Sequence, residues 1–167
     1  MEMRRVVVTG LGALTPIGNN IEEYWNGLIN GVSGAAPITH FDASQAKTQF
    51  ACELKNFDGN QFFDRKEIRK YDKFAQYGIV AADQAMLDSG INLESLDNDR
   101  AGVIWASGIG GIITFQEEIM SFAKGDGTLR FSPFFIPKMI ADICAGHISI
   151  KYDLRGPNFC TVSACAS

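Results

Sequence analysis

The residues with the clearest chemical potential are four cysteines, Cys52, Cys144, Cys160 and Cys165, and two histidines, His40 and His147. A cysteine acts as a nucleophile through its thiolate and ordinarily works with a base or an imidazole. Cys165 stands in "TVSACAS", between two alanines and directly after a strand-like run. A strand that turned into a helix at this point would set the sulfur among unpaired N–H groups and at the positive end of the helix dipole. Both favour a thiolate. Ala164 and Ala166 leave room for a substrate, and the same amides could polarise an acyl carbonyl. This is the logic of a nucleophile elbow with cysteine in place of serine. The plainer reading, a thiol packed as a small hydrophobe, stays open on composition.

The other candidates read as structural. Cys144 falls on the apolar stripe of a helix expected over 137–152, Cys160 lies inside a strand, and Cys52 precedes a charged residue in an unassigned stretch. His147 sits mid-helix on the packed face, where a hydrogen-bonded core histidine is expected. His40, in "ITHFD", reads as loop or turn. Neither forms a Cys–His site, so a nucleophilic Cys165 would draw its histidines from sequence outside this chain.

Two glycine loops follow strands. "ASGIGGI" has Ile113 where a dinucleotide fingerprint starting at Gly108 needs its last glycine, and "GLGALT" has Thr15 there. Close backbone packing beside a pocket explains these glycines better than a phosphate cradle. "RKEIRKYDK" sets Lys66, Arg69, Lys70 and Lys73 at helical spacings of three and four. Such a stripe is either a solvated face or a dock for an anionic partner, and the pattern alone leaves both open.

These residues must be positioned by a fold. A chain of 167 residues suits one domain and can bury roughly 70% of its unfolded surface. It is 46% hydrophobic and 20% charged, which is ordinary for a globular protein. The net charge of -4 argues against a nucleic-acid partner. No CxxC pair and no regular cysteine framework occurs, so neither a metal site nor disulfides are expected, and the default compartment is a reducing cytoplasm. "MEMRRVVVTG" is too short in apolar run for a signal peptide or membrane helix.

Buried strands are expected at 6–8, at 102–106 and in "NFCTVSA". Helices are expected in "IEEYWNGLINGVSG", through "RKEIRKYDKFAQYGIVAADQAMLDSG", in "GIITFQEEIMSFAK" and over 137–152. Residues 35–63 show no clear period and read as loops and short strands. Strands alternating with long helices imply crossovers and a mostly parallel sheet covered on both faces. A buried-type strand followed by three residues leads to the expectation that the chain is a piece of a longer protein.

Five segments in order, "RRVVVTGLGALTPIGN", "RKEIRKYDKFAQYGIVAADQAMLDSG", "IWASGIGGI", "SPFFIPKMIADICAGHISIKYDLRGPN" and "TVSACAS", resemble the N-terminal part of a β-ketoacyl-[acyl-carrier-protein] synthase, the type II elongating form above all. The likeness runs from Arg4 to Ser167. It implies a thiolase-like α/β fold, of which residues 1–167 would be the N-terminal half, truncated just after the nucleophile: a mixed, mostly parallel five-stranded sheet flanked by helices. It implies a cytoplasmic homodimer of fatty-acid biosynthesis with no cofactor or metal and no nucleic-acid or membrane partner.

By the same resemblance, Cys165 matches the catalytic cysteine, which takes an acyl group from acyl carrier protein. Malonyl carrier protein then decarboxylates and attacks that thioester. The family's two histidines and lysine belong to the second half, and so does its second oxyanion-hole amide. The resemblance puts Ile109 in the lining of the acyl pocket, and Phe134 or Phe135 in a segment that approaches the acyl pocket of the partner subunit. It puts Lys66, Arg69 and Lys70 on the basic patch that meets the carrier protein, and "NFCTVSA" on the strand that pairs across the dimer axis. Cys144 and Cys160 stand where small residues are expected, and Asp153 where glycine is, which puts the local turn in doubt. The chain alone is expected to be inactive in condensation. The rival reading is a non-catalytic module that binds carrier protein or a partner subunit.

Overall fold

A computed structural model describes residues 4–167; residues 1–3, the start of "MEMRRVVVTG", lie outside the described residues. The chain divides into two compact units. One ends at Asp58 and takes in Val80–Gly90; the other comprises Gly59–Ile79 and Ile91–Ser167.

The second unit holds the parallel sheet. Val103–Ala106 forms β3 and Asn158–Thr161 forms β4, paired in parallel with Val103 opposite Asn158 and Ala106 opposite Thr161. A parallel pair needs a long crossover. Three helices supply it: α4 (Ile112–Lys124), α5 (Phe135–Met139) and α6 (Ile143–Tyr152). Side chains alternate across a strand. Val103 is buried and Trp105 is half-buried on the face that packs under the helices. The core there includes Ala75, Ile79, Cys144, Ala145 and Ile148. Gly78 is fitted between Trp105 and Cys144 so closely that a Cβ would lie 2.5 Å from the indole and 2.6 Å from the sulfur. The opposite face, with Ile104 71% exposed and Phe159 48% exposed, has no cover among the described residues. Of the expected five-stranded sheet, the described residues form this parallel pair in the second unit.

Two of the expected helices are each broken into two. The basic segment forms a short helix α2 (Arg65–Ile68), and α3 (Lys73–Ser89) restarts after it. Asp64 starts the first as the N-cap of a capping box with Glu67. Asp72 opens the second by accepting from the Phe74 N–H at 3.2 Å. Lys66, Arg69, Lys70 and Lys73 therefore do not share one continuous helical stripe, because an acid read as part of a charge run acts as a helix start. Likewise α5 ends before α6 begins, since the Met139 carbonyl accepts from the Gly111 N–H at 2.9 Å. Pro137 lies inside α5. Asp153 ends α6 in the left-handed conformation at φ +54°, the role glycine usually takes. It is held by Asn98 Nδ2 at 3.0 Å and by the Arg155 guanidinium at 2.7 Å, so the turn forms with aspartate in place.

In the first unit the expected buried strand at 6–8 is not one. Val6 is 90% exposed and Val8 is 79% exposed, and this stretch pairs with no strand among the described residues. The chain just after it lies along the second half of α3 instead. Leu11 N–H donates to Asp88 at 2.8 Å and Ala13 N–H to Gln84 at 3.0 Å. A Cβ at Gly10 or Gly12 would overlap the carbonyls of Ala85 and Ala81. Helix α1 (Ile21–Ile29) is capped by Asn20, but Trp25 and Leu28 on its apolar face are exposed. Ala36–Pro37 (β1) and Phe50–Ala51 (β2) pair antiparallel within the expected loops and short strands. Gly90 ends α3 at φ +60°, as its position predicts.

Candidate active site

Strands β3 and β4 end side by side, and in open α/β sheets ligands bind outside the carboxyl ends of such strands. Two loops emerge there, 107–111 and 162–167. They touch: the Ser167 hydroxyl donates to the Ser107 carbonyl at 3.4 Å and accepts from the Ser163 N–H at 2.7 Å. Cys165 sits in the second loop, exposed, at the centre of the one-turn 3-10 helix Ala164–Ala166. Ala164 has φ +50°, an uncommon left-handed conformation for an alanine. The chain thus makes a sharp bend between β4 and the sulfur.

The first loop leads into an apolar groove. Ile109, Ile112, Phe115, Met139, Ile140 and Ala141 line a space of about 380 Å³. Gly110 and Gly111 make this possible. They bring the loop onto the backbone of 138–141 so closely that a Cβ at Gly111 would overlap the Lys138 carbonyl. Gly110 adopts φ +89°, where a side chain would be strained. Of the residues expected at an acyl pocket, Ile109 lines the groove and Phe135 stacks on Phe115 with ring centroids 6.2 Å apart. Phe135 also stacks on Phe131 at 5.5 Å. Phe134 is half-buried at the start of α5 and is not part of the lining. The sequence reading missed Ile112, Phe115, Met139, Ile140 and Ala141. Their signal was the paired glycines, which announce a close backbone approach without naming its partner.

The remaining thiols separate clearly. Cys144 is fully buried, donates to the Ala75 carbonyl at 3.8 Å, and burial pushes its thiol up to about 12. Cys160 is partly covered and donates to the Ala141 carbonyl at 3.5 Å. Burial raises its pKa, opposed by the Ser107 backbone and aided by Asp142. Both suit packed thiols. Cys52 is exposed in the other unit.

His147 departs from expectation. It packs edge-on against Tyr71 with centroids 4.6 Å apart, but its buried Nε2 has no hydrogen-bond partner among the described residues. Burial first, and then the positive charge of Lys70, lower its pKa below the ordinary 6.5. The unfolded chain therefore binds the proton more readily, and this site costs stability as pH falls through 6.5 towards the folded value. Denaturant midpoints measured from pH 7.5 to 5 should fall with acid, and His147→Phe should flatten that slope. An unchanged slope contradicts the assignment. His40 is exposed in the other unit, where its N–H donates to Glu53 at 3.3 Å.

Lys66, Arg69 and Lys70 are all exposed, on α2 and the turn that follows it. Their neighbour Asp72 is only 4% exposed. Its carboxylate accepts from the Thr114 N–H at 2.9 Å and from the Thr114 hydroxyl at 2.5 Å, in the first turn of α4. No described helix is long and apolar enough to cross a membrane.

Comparison with known proteins identifies the family. Residues 3–167 match the family described as "Beta-ketoacyl synthase, N-terminal domain". The chain is 44% identical, over its whole length, to 3-oxoacyl-[acyl-carrier-protein] synthase 2 of Synechocystis, and spans 40% of that protein. Its structure is similar to the ishigamide ketosynthase/chain length factor, with a TM-score of 0.84 and 27% identity, over 95% of this chain and 40% of that one. It is also similar to a type II polyketide ketosynthase solved in complex with its acyl-carrier protein. There the TM-score is 0.72 and identity 26%, over 92% of this chain and 40% of that one. With a thiolase-like α/β architecture and a family match over nearly all its residues, the chain belongs to the β-ketoacyl synthase family, as its N-terminal domain.

Proposed function

We propose that residues 1–167 form the nucleophile-bearing domain of a 3-oxoacyl-[acyl-carrier-protein] synthase of fatty-acid elongation. Cys165 is the acyl acceptor. Cys165 loses its thiol proton, and its thiolate attacks the carbonyl of an acyl thioester. The tetrahedral intermediate collapses with cleavage of the carrier C–S bond. The carrier thiolate leaves and takes up a proton in place of the one Cys165 released, while the acyl group stays on the sulfur. In the complete enzyme, malonyl carrier protein loses carbon dioxide and its carbanion attacks this thioester, which frees Cys165 and forms the 3-oxoacyl product. The observation that carries the reading is the exposed sulfur on a bent turn beyond β4, beside the loop that opens the Ile109 groove. The groove's apolar lining suits an acyl chain. Incubation with an acyl carrier protein thioester should add one acyl mass per chain, and malonyl carrier protein should then yield no 3-oxoacyl product from this chain alone. Its histidines offer no partner for decarboxylation: one packs against Tyr71, the other lies in a loop tied to Glu53. No acyl adduct would refute the role of Cys165, and condensation by the chain alone would refute the assignment of decarboxylation elsewhere.

The partner in this reading is acyl carrier protein, acyl- or malonyl-loaded, met by Lys66, Arg69 and Lys70. The related ketosynthase in complex with its acyl-carrier protein supports it. A cytoplasmic location belongs to the same reading. So does a homodimer, in which the edge of β4 left unpaired among the described residues, with its exposed Phe159 and the exposed Val162 just after it, pairs with a second copy. Sedimentation at micromolar concentration should show self-association that Phe159→Lys weakens. A monomeric chain, unchanged by that substitution, contradicts the dimer.

A further inference from the structure

Asp72 is the most buried charged side chain among the described residues, yet no role above requires it. Its three acceptor contacts join two helix starts. One oxygen takes the Phe74 N–H in the first turn of α3; the other takes the Thr114 N–H and hydroxyl in the first turn of α4. Thr114 is itself 3% exposed, so neither partner has water as a substitute. The two amides are among those a helix leaves unpaired at its start, and a carboxylate suits both dipoles.

The consequence lies on α4. Ile112 and Phe115 flank Thr114 and line the groove, and Ile109 enters it from the same loop. The other wall, Met139, Ile140 and Ala141, is fixed to this loop by the Gly111–Met139 bond. One wall is therefore placed by the glycine contact and the other by Asp72. We infer that Asp72 is a positioning residue for acyl-chain selection: by tying the start of α4 to the start of α3 it sets the width of the groove between Ile109–Phe115 and Met139–Ala141. This rests on the groove being the acyl site, though not on chemistry at Cys165. The arrangement also places this carboxylate directly after the basic turn, so that a carrier protein seated on Arg69 and Lys70 would bear on the segment that anchors the groove.

The test uses the full 167-residue chain with Cys165→Ala, so that failure of acylation at the sulfur leaves it unaffected. Dodecanoate and octanoate are titrated in, and hydrogen exchange locates the binding. The parent chain should bind dodecanoate more tightly and show protection in 109–115 and 135–141. Asp72→Asn should weaken dodecanoate by about fivefold, the scale of a lost cap, and narrow the preference over octanoate. Exchange should rise in 109–115 while β3, β4 and α6 exchange as before. Thr114→Ser should keep the parent selectivity, and Thr114→Val, which deletes one of the three bonds, should fall between. Should Asp72→Asn fail to fold, the Thr114 pair decides alone. Unchanged selectivity in the variants, a rise in exchange spread evenly over the chain, or absence of dodecanoate protection in 109–115 of the parent would overturn the inference.

Discussion

Replacing Lys66, Arg69 and Lys70 together by glutamate should weaken binding of acyl carrier protein by about tenfold or more at low salt. The three side chains are exposed on a short capped helix and the turn after it, so their reversal removes no core contact. The remainder of the chain is net acidic, so this basic cluster stands out as the surface an acidic partner would meet. Steering by surface charge acts mostly on the association rate and is screened by salt. The difference between wild type and variant should accordingly shrink as ionic strength rises, and thermal stability should stay the same. Equal affinities at low salt would show that the carrier docks elsewhere.

Cys165→Ala should abolish acyl transfer to the chain altogether, the largest effect expected of any substitution here. The step needs a nucleophile, and alanine supplies none. The change deletes one exposed atom, so folding should be unaffected. Cys144→Ala provides the contrast. It removes a buried sulfur packed under Gly78 and Trp105, so it should lower stability and leave acylation intact. Acylation that persists in Cys165→Ala would move the nucleophile to Cys52 or Cys160.

What could be read from sequence depended on whether the signal was local. The strand expected at 102–106 and the helix expected after it were each written in a few adjacent residues, and both form, the strand as 103–106. The valines at 6–8 carry an equally clear strand signal, but a strand also requires a neighbour, and none is present among the described residues. Periodicity carried the helices at 65–90 and 137–152 straight through Asp72 and Met139. In both cases a partner distant in sequence competes for the backbone or the side chain there: Thr114 for the one, Gly111 for the other. An aspartate just ahead of an apolar periodic run is a helix-start signal, so Asp72 was legible in principle. The groove was only half legible. Ile109 came from resemblance, whereas Met139 and Ala141 arrive by tertiary packing that no spacing records.

The bend at Ala164 and the exposure of Cys165 set an accessible sulfur apart from the packed Cys144. The most direct measurement is cysteine-resolved mass mapping of the chain after brief exposure to an acyl carrier protein thioester, compared with a generic alkylating agent. The generic agent should mark both exposed thiols, Cys52 and Cys165, and spare Cys144. The carrier thioester should place its acyl group on Cys165 well ahead of Cys52. Acyl groups distributed over Cys52 and Cys165 in the same ratio as the generic label would contradict the account, since they would show accessibility without selection.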